Sequence, residues 1–278
     1  MIKTYLICII CCLLGSSLQG QYAYFGNRGT IHFDKVTYTK ARMRQLSNEM
    51  SSKMPDRGAG MMEYLDKVPD SYTEKLTLFF DEHATVLMQD DSSGTTATKR
   101  GTMRNRGRGG SSQRMRFNQG PNNKNGKVLY QNLKTSMADI QLDIDEKYLL
   151  SEPLDSITWR FTEEFRSIAG ISCRRVNGAT KDSLYLIAYY TEEIPVSAGP
   201  ALSHGLPGMI LGLVIPEMHI QYWATHIAYG NNLVPSDWRD KKAKSMKFGE
   251  FTDLFGRYMP RNRQNESAKK RILEQLVY

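Results

Sequence analysis

Beyond residue 12 the sequence contains one cysteine, Cys173; the other three, Cys8, Cys11 and Cys12, crowd into the first few residues. If that leader is removed, no internal disulfide can form, so an ordinary apolar core must hold the fold. Long apolar runs are also missing. The longest, from Tyr5 to Leu14, is about half the length needed to span a bilayer as a helix, and nothing downstream approaches it. Acidic residues are absent from Ser92 to Ala138, although the chain as a whole has 29 Asp and Glu. Also lacking are a nucleophile elbow, a zinc-protease helix motif and a phosphate-cradling glycine loop, so no familiar catalytic signature is present.

The first residues follow the order of a secretory leader: Lys3, then the apolar run, then the small and polar residues Gly15, Ser16, Ser17, Leu18, Gln19 and Gly20. Residues 1–20 are expected to be a signal peptide cut between Gly20 and Gln21, which places the mature chain in the periplasm or at the periphery of the outer membrane. Lipid attachment is disfavoured because Ile10 precedes Cys11 and Cys11 precedes Cys12, where processing prefers a small residue. Cys173 then stands alone between Ile171 and Arg174, a setting that suits a buried small hydrophobe better than a reactive thiol.

The formal net charge of +8 is local. Lys99, Arg100, Arg104, Arg106, Arg108, Arg114, Arg116, Lys124, Lys127 and Lys134 fall in the acid-free stretch, so the rest of the chain is slightly acidic. Residues 92–126 are rich in Gly, Ser, Asn and Arg. Their apolar surface is too small to offset ordering entropy, and the sequence predicts a disordered basic insert. Export argues against nucleic acid as its partner; anionic lipid headgroups are the better electrostatic match.

Elsewhere the pattern is that of strands. Thr30 to Tyr38 is rich in β-branched and aromatic residues. Leu76–Phe80 and Ala84–Met88 flank Asp81, Glu82 and His83 as a tight hairpin, and Ile157, Trp159 and Phe161 alternate with Thr158, Arg160 and Thr162, the period-two pattern of a strand with one buried face. Asn177-Gly178 reads as the turn between Gly170–Val176 and Ser183–Thr191, and further strands are expected at Met209–Val214 and Met218–Tyr229. Ala41–Met54 has the apolar spacing of a short helix ended by Pro55. Closely spaced strands without intervening helices imply antiparallel pairing. The expected fold is mainly β, an antiparallel curved open sheet or half-barrel with short peripheral and C-terminal helices. It comprises a β domain over 21–235 and a helical extension over 236–278, where Ile272, Leu273, Leu276 and Val277 form an apolar stripe.

The densest Pro and Gly run, Ile194 to Leu211, centres on Gly205, Leu206, Pro207, Gly208, Met209 and Ile210. It resembles the signature of the GLPGLI family of secreted Bacteroidota proteins, with Met209 where that pattern has Leu. Ile157-Thr-Trp159, Ile168-Ala-Gly170-Ile-Ser-Cys173, Tyr189-Tyr-Thr191, Ile194-Pro-Val196 and Gly199-Pro200 precede it in the family's order. The resemblance implies a family without an established activity, associated with TonB-dependent outer-membrane receptors. Read physically, Pro195, Pro200 and Pro207 fix backbone angles, while Gly199, Gly205 and Gly208 permit close approach or left-handed geometry. This describes either a structural corner or a stiff loop with free amides lining a cleft.

The carboxylates Asp143, Asp145 and Glu146, like Glu163 and Glu164, lack the context of an acid–base pair, so no catalytic residues are assigned. Thioether and imidazole donors suit copper, and His204, Met209, Met218 and His226 are the candidate ligands; Met218 and His226, eight apart, belong on one face of a single strand. Histidine and methionine serve surfaces and cores more often. The reading that emerges is an exported cell-envelope binding or accessory protein. The alternatives are a structural partner of a TonB-dependent outer-membrane complex and a copper-binding periplasmic protein. Expression of the full chain in a Gram-negative host followed by N-terminal sequencing is expected to give Gln21 as the first residue.

Overall fold

A computed structural model describes residues 26–51, 65, 68–90, 126–143, 146–231, 234–256 and 277–278. The expected leader, nearly all of the basic insert and most of the apolar stripe, including Ile272, Leu273 and Leu276, lie outside them. The strands are β1 (Gly29–Thr37), β2 (Tyr72–Phe80), β3 (Ala84–Gln89), β4 (Val128–Asn132), β5 (Met137–Asp143) and β6 (Lys147–Pro153). They continue with β7 (Ile157–Ile168), β8 (Ile171–Thr180), β9 (Tyr185–Thr191), β10 (Met209–Ile215), β11 (Ile220–Tyr229) and β12 (Lys244–Met246). Helix α1 is Thr39–Ser51 and α2 is Phe248–Gly256.

All twelve strands join one sheet in the order β12-β6-β5-β4-β3-β2-β1-β11-β10-β9-β8-β7. The pairings are antiparallel except β12 against β6, and the sheet does not close into a barrel. The mainly β, open-sheet expectation therefore holds. Register aligns Ile227, Ile31, Leu78, Leu87, Leu129, Ile140, Leu150 and Met246 side by side on one face. All but the outermost two are buried, at about 2 kcal/mol of transfer free energy per side chain. This apolar row runs through the concave core.

The 236–278 segment is not helical throughout. After β11 the chain returns along the outer face, where Trp238 stacks on Tyr130 with centroids 4.6 Å apart and the Asp240 amide donates to Gln141 Oε1 at 2.7 Å. It then adds β12 to the sheet edge. Helix α2 sets Phe251 edge-on against Tyr148 on the concave side, centroids 5.7 Å apart.

Three expectations need correction. Asn177-Gly178 is not a turn: both residues lie inside β8, paired with Ile187 and Leu186. The Trp159 ring lies so flat on Gly178 that a Cβ there would meet ring carbon at 2.4 Å, and this packing outweighs the local turn preference. The reversal comes later, at Thr180–Leu184, with Ser183 left-handed at φ 69° and its amide donating to the Thr180 carbonyl at 2.8 Å. Second, Ile157, Trp159 and Phe161 do not have one buried face. The first two are half-buried, and Phe161 is exposed because β7 is the last strand of the sheet.

Third, Met218 and His226 do not share a strand face. Pro216–Met218 form a 3₁₀ turn closed by left-handed His219, so the strand starts at Ile220. A bulge then lets β11 supply one extra residue, Thr225, opposite the step from His32 to Phe33. Such an insertion flips the alternation beyond it, and His226 emerges on the outer face beside His32.

The lone thiol is inside. Cys173 is fully buried, and burial, helped by the charge of Glu193, pushes its pKa up to about 12. Treatment of the native protein with a thiol reagent at pH 8 is expected to leave Cys173 unmodified, whereas denatured protein reacts fully; rapid native labelling would contradict this burial.

Candidate functional site

The Pro- and Gly-rich run folds into a corner between β9 and β10. Two successive three-residue turns open it: the Val196 amide donates to the Ile194 carbonyl and the Ala198 amide to the Val196 carbonyl, both at 2.8 Å. Pro195 at the centre of the first supplies the fixed φ that such a turn needs. Pro200 to Ser203 then make a tight reversal, the Ser203 amide reaching the Pro200 carbonyl at 3.1 Å. Ala201 and Leu202 are both left-handed, at φ 54° and 58°, a conformation costing non-glycine residues about 1–2 kcal/mol each. Surrounding packing must offset that strain.

Two glycines show why the run has its composition. Gly205 has φ +87°, the region favouring glycine, and Gly208 passes so close to β9 that a Cβ would lie 2.0 Å from the Thr191 carbonyl oxygen. Leu206 between them turns inward and is buried. Trp159 of β7 clamps the corner from outside, its Nε1–H donating to the His204 carbonyl at 2.9 Å.

The corner reaches across the concave side. Gln131 of β4 donates through Nε2 to the Ser203 carbonyl at 3.4 Å and accepts from Thr85 Oγ1 at 3.0 Å. Ser203 Oγ donates to the Pro200 carbonyl at 2.7 Å. Thr85, Gln131 and Ser203 are all buried, so each of these bonds satisfies a group that would otherwise be costly to bury. On a flat sheet β4 and β10 would be five strand spacings apart, about 24 Å. Their contact through the corner shows how strongly the sheet curves.

The corner's amides are turned inward. Those of Val196, Ala198, Ser203, Met209 and Ile210 donate to main-chain carbonyls, and that of Gly205 donates to Ser197 Oγ at 3.1 Å. These six are not free for a ligand, so the observed geometry is that of a structural corner. The copper candidates do not converge. Met209 is fully buried, and His204 has its Nδ1 2.9 Å from the Leu202 carbonyl. Exposed His226 stacks on His32 with centroids 6.0 Å apart. Met218 lies in the turn before β11, and Ile220 at the start of that strand is already about 20 Å from His226 at 3.3 Å per residue. Among the described residues no group of three or more His, Cys, Asp and Glu side chains could hold a metal ion.

Outside the corner, the most distinctive surface is the β7 rim, which sequence periodicity did not single out. Phe161 and Phe165 are 48% and 62% exposed. Between them β7 bulges relative to β8, an irregularity that single-strand alternation cannot reveal. Arg174 stands over the Phe161 ring at 5.5 Å and pairs with Glu163 at 2.6 Å, while Arg175 pairs with Glu164 at 2.6 Å. Further along, Arg166 lies over the Trp223 ring at 4.3 Å, fastening the end of β7 onto the outer face.

A family described as a protein of unknown function (Porph_ging) matches residues 152–212. That span includes Trp159, the β7 rim and the whole corner, the residues on which the GLPGLI resemblance rests. Two solved structures of PNGF-II, in C2 and P21 crystal forms, are similar in fold. The first has a TM-score of 0.50 at 12% identity, covering 83% of this chain and 33% of that one. The second has a TM-score of 0.50 at 11% identity, covering 84% and 34%. This chain thus spans about a third of the length of PNGF-II. No curated protein sequence matches it.

Substitution in the corner separates its two glycine requirements. Gly208→Ala is expected to lower stability by about 3 kcal/mol or more, because a methyl group must displace backbone; Gly205→Ala, where a Cβ would only touch the Trp159 ring at 3.4 Å but φ is positive, should cost about 1–2 kcal/mol. Denaturant unfolding of both variants checks this order.

Proposed function

We propose that this chain is an exported cell-envelope accessory protein that binds an outer-membrane protein through the β7 rim. One observation carries the reading: Phe161 and Phe165, 48% and 62% exposed, lie on β7, the outermost strand of the sheet, which pairs only with β8 among the described residues. Exposed aromatic pairs gain free energy when a partner desolvates them, and the surrounding ion pairs form the polar border typical of an interface. The bulge and the Glu163 and Glu164 side chains blunt the strand edge, which disfavours indiscriminate edge-to-edge association and favours a side-chain-led contact. The leader-like first twenty residues support export, and the GLPGLI resemblance supports an envelope partner. The concave side supports an accessory role over an enclosed carrier, since its central row is filled by the chain's own side chains.

Affinity purification from envelope extracts of the native cells, comparing the unaltered protein with Phe161→Ser/Phe165→Ser, tests this reading. The unaltered protein should retain an outer-membrane protein that the double variant loses at least tenfold, while the melting temperatures of the two agree closely. Equal retention by the variant, or recovery of the chain in the cytoplasm, would overturn it.

A further inference from the structure

One contact on the outer face of the sheet belongs to neither the corner nor the rim. His32 of β1 and His226 of β11 are direct register partners, and their ring centroids lie 6.0 Å apart, the planes inclined by 27°. The pairing exists only because β11 bulges. Ile220, Tyr222 and Ala224 are buried, so strict alternation would carry residue 226 into the core. The extra residue Thr225 turns His226 outward instead, and Thr225 Oγ1 donates to the His32 carbonyl at 3.2 Å, holding the bulge in place.

The two side chains differ in how they are held. Thr77 of β2 flanks His32 on the other side and is buried; its Oγ1 lies 3.1 Å from His32 Nδ1. A hydroxyl accepts as well as donates, so the His32 ring can keep its proton on Nδ1 and present an unprotonated Nε2. A neighbouring acceptor orients metal-binding imidazoles in this way. His226 is exposed and its terminal torsion is broad, so its ring turns without backbone change. Bonds from metal to imidazole nitrogen are about 2.0–2.1 Å, and with each nitrogen about 1.2 Å from its ring centre, two rings on one ion stand about 5–6.5 Å apart. The observed separation falls inside that span.

We propose that His32 and His226 form a two-histidine chelate for a late divalent transition-metal ion on the outer face, with Thr77 as the positioning residue. Neutral imidazole suits zinc, copper and nickel, and in the usual order of affinity Cu(II) binds most tightly. Among the described residues no third His, Cys, Asp or Glu joins the pair, so water completes the shell of the ion. The chelate gains over a single histidine because the second imidazole is already at high effective concentration. Of the four residues that the sequence offered for copper only His226 takes part, and its partner comes from the first strand through register. The site is separate from the β7 rim and from any protein bound there.

Calorimetric titration of the purified protein with Cu(II) alone, beside His32→Gln, His226→Gln and the double variant, tests the chelate. All four substitutes should melt at closely similar temperatures without metal, since neither ring belongs to the core. The unaltered protein should hold one Cu(II) at least tenfold more tightly than either single variant. The double variant should be no more than about threefold weaker than the singles, because a chelate is lost with its first arm and the two effects do not add. Electron paramagnetic resonance of the one-to-one complex should show nitrogen couplings from two imidazoles, reduced in either single variant. Thr77→Val should weaken binding at least threefold, and Thr77→Ser, which keeps the hydroxyl, should retain it. Equal affinity in the unaltered protein and the single variants, losses that add in the double variant, or couplings from one imidazole only would overturn the proposal.

Discussion

The curvature of the sheet depends on one close approach, that of the corner between β9 and β10 to the strands around it. Gly208 lies against the Thr191 carbonyl where a Cβ has no room, and Trp159 presses on Gly178 while bonding the His204 carbonyl. Held there, the corner delivers the Ser203 carbonyl to Gln131 on the other side of the concave face. An open sheet of twelve strands left to its intrinsic twist would splay. The bridge fixes its arc, and with it the concave core and the rim at β7.

Features resting on local alternation and turn chemistry were readable in the sequence. The β1 strand, the Asp81–His83 hairpin and the antiparallel character of the sheet follow from side-chain periodicity and short connections. Where non-local packing competes with a local signal, the sequence misleads. Asn177-Gly178 has the composition of a turn but serves as the flat bed for Trp159, and the spacing of Met218 and His226 is broken by a bulge that depends on β1.

The candidate site divides in the same way. Gly205 to Ile210 stand out in the sequence because proline and glycine carry backbone information that survives without a partner. The rim does not stand out, because Phe161 reads as the inward member of an alternating strand until the sheet order shows that, among the described residues, β7 is the last strand. These two places have separate tasks: the corner sets shape and the rim offers exposed aromatic surface.

The central claim is that the corner mechanically joins the two halves of the sheet. Hydrogen–deuterium exchange on Gln131→Leu tests it most directly, because the substitution is on β4 and the response is read on the corner. The account predicts faster exchange at the Ser203, Gly205 and Ile210 amides of the corner and β10, which along the sheet is five strands away from β4, together with β3 and β4. Faster exchange confined to β3, β4 and β5, with the corner amides unchanged, would contradict it.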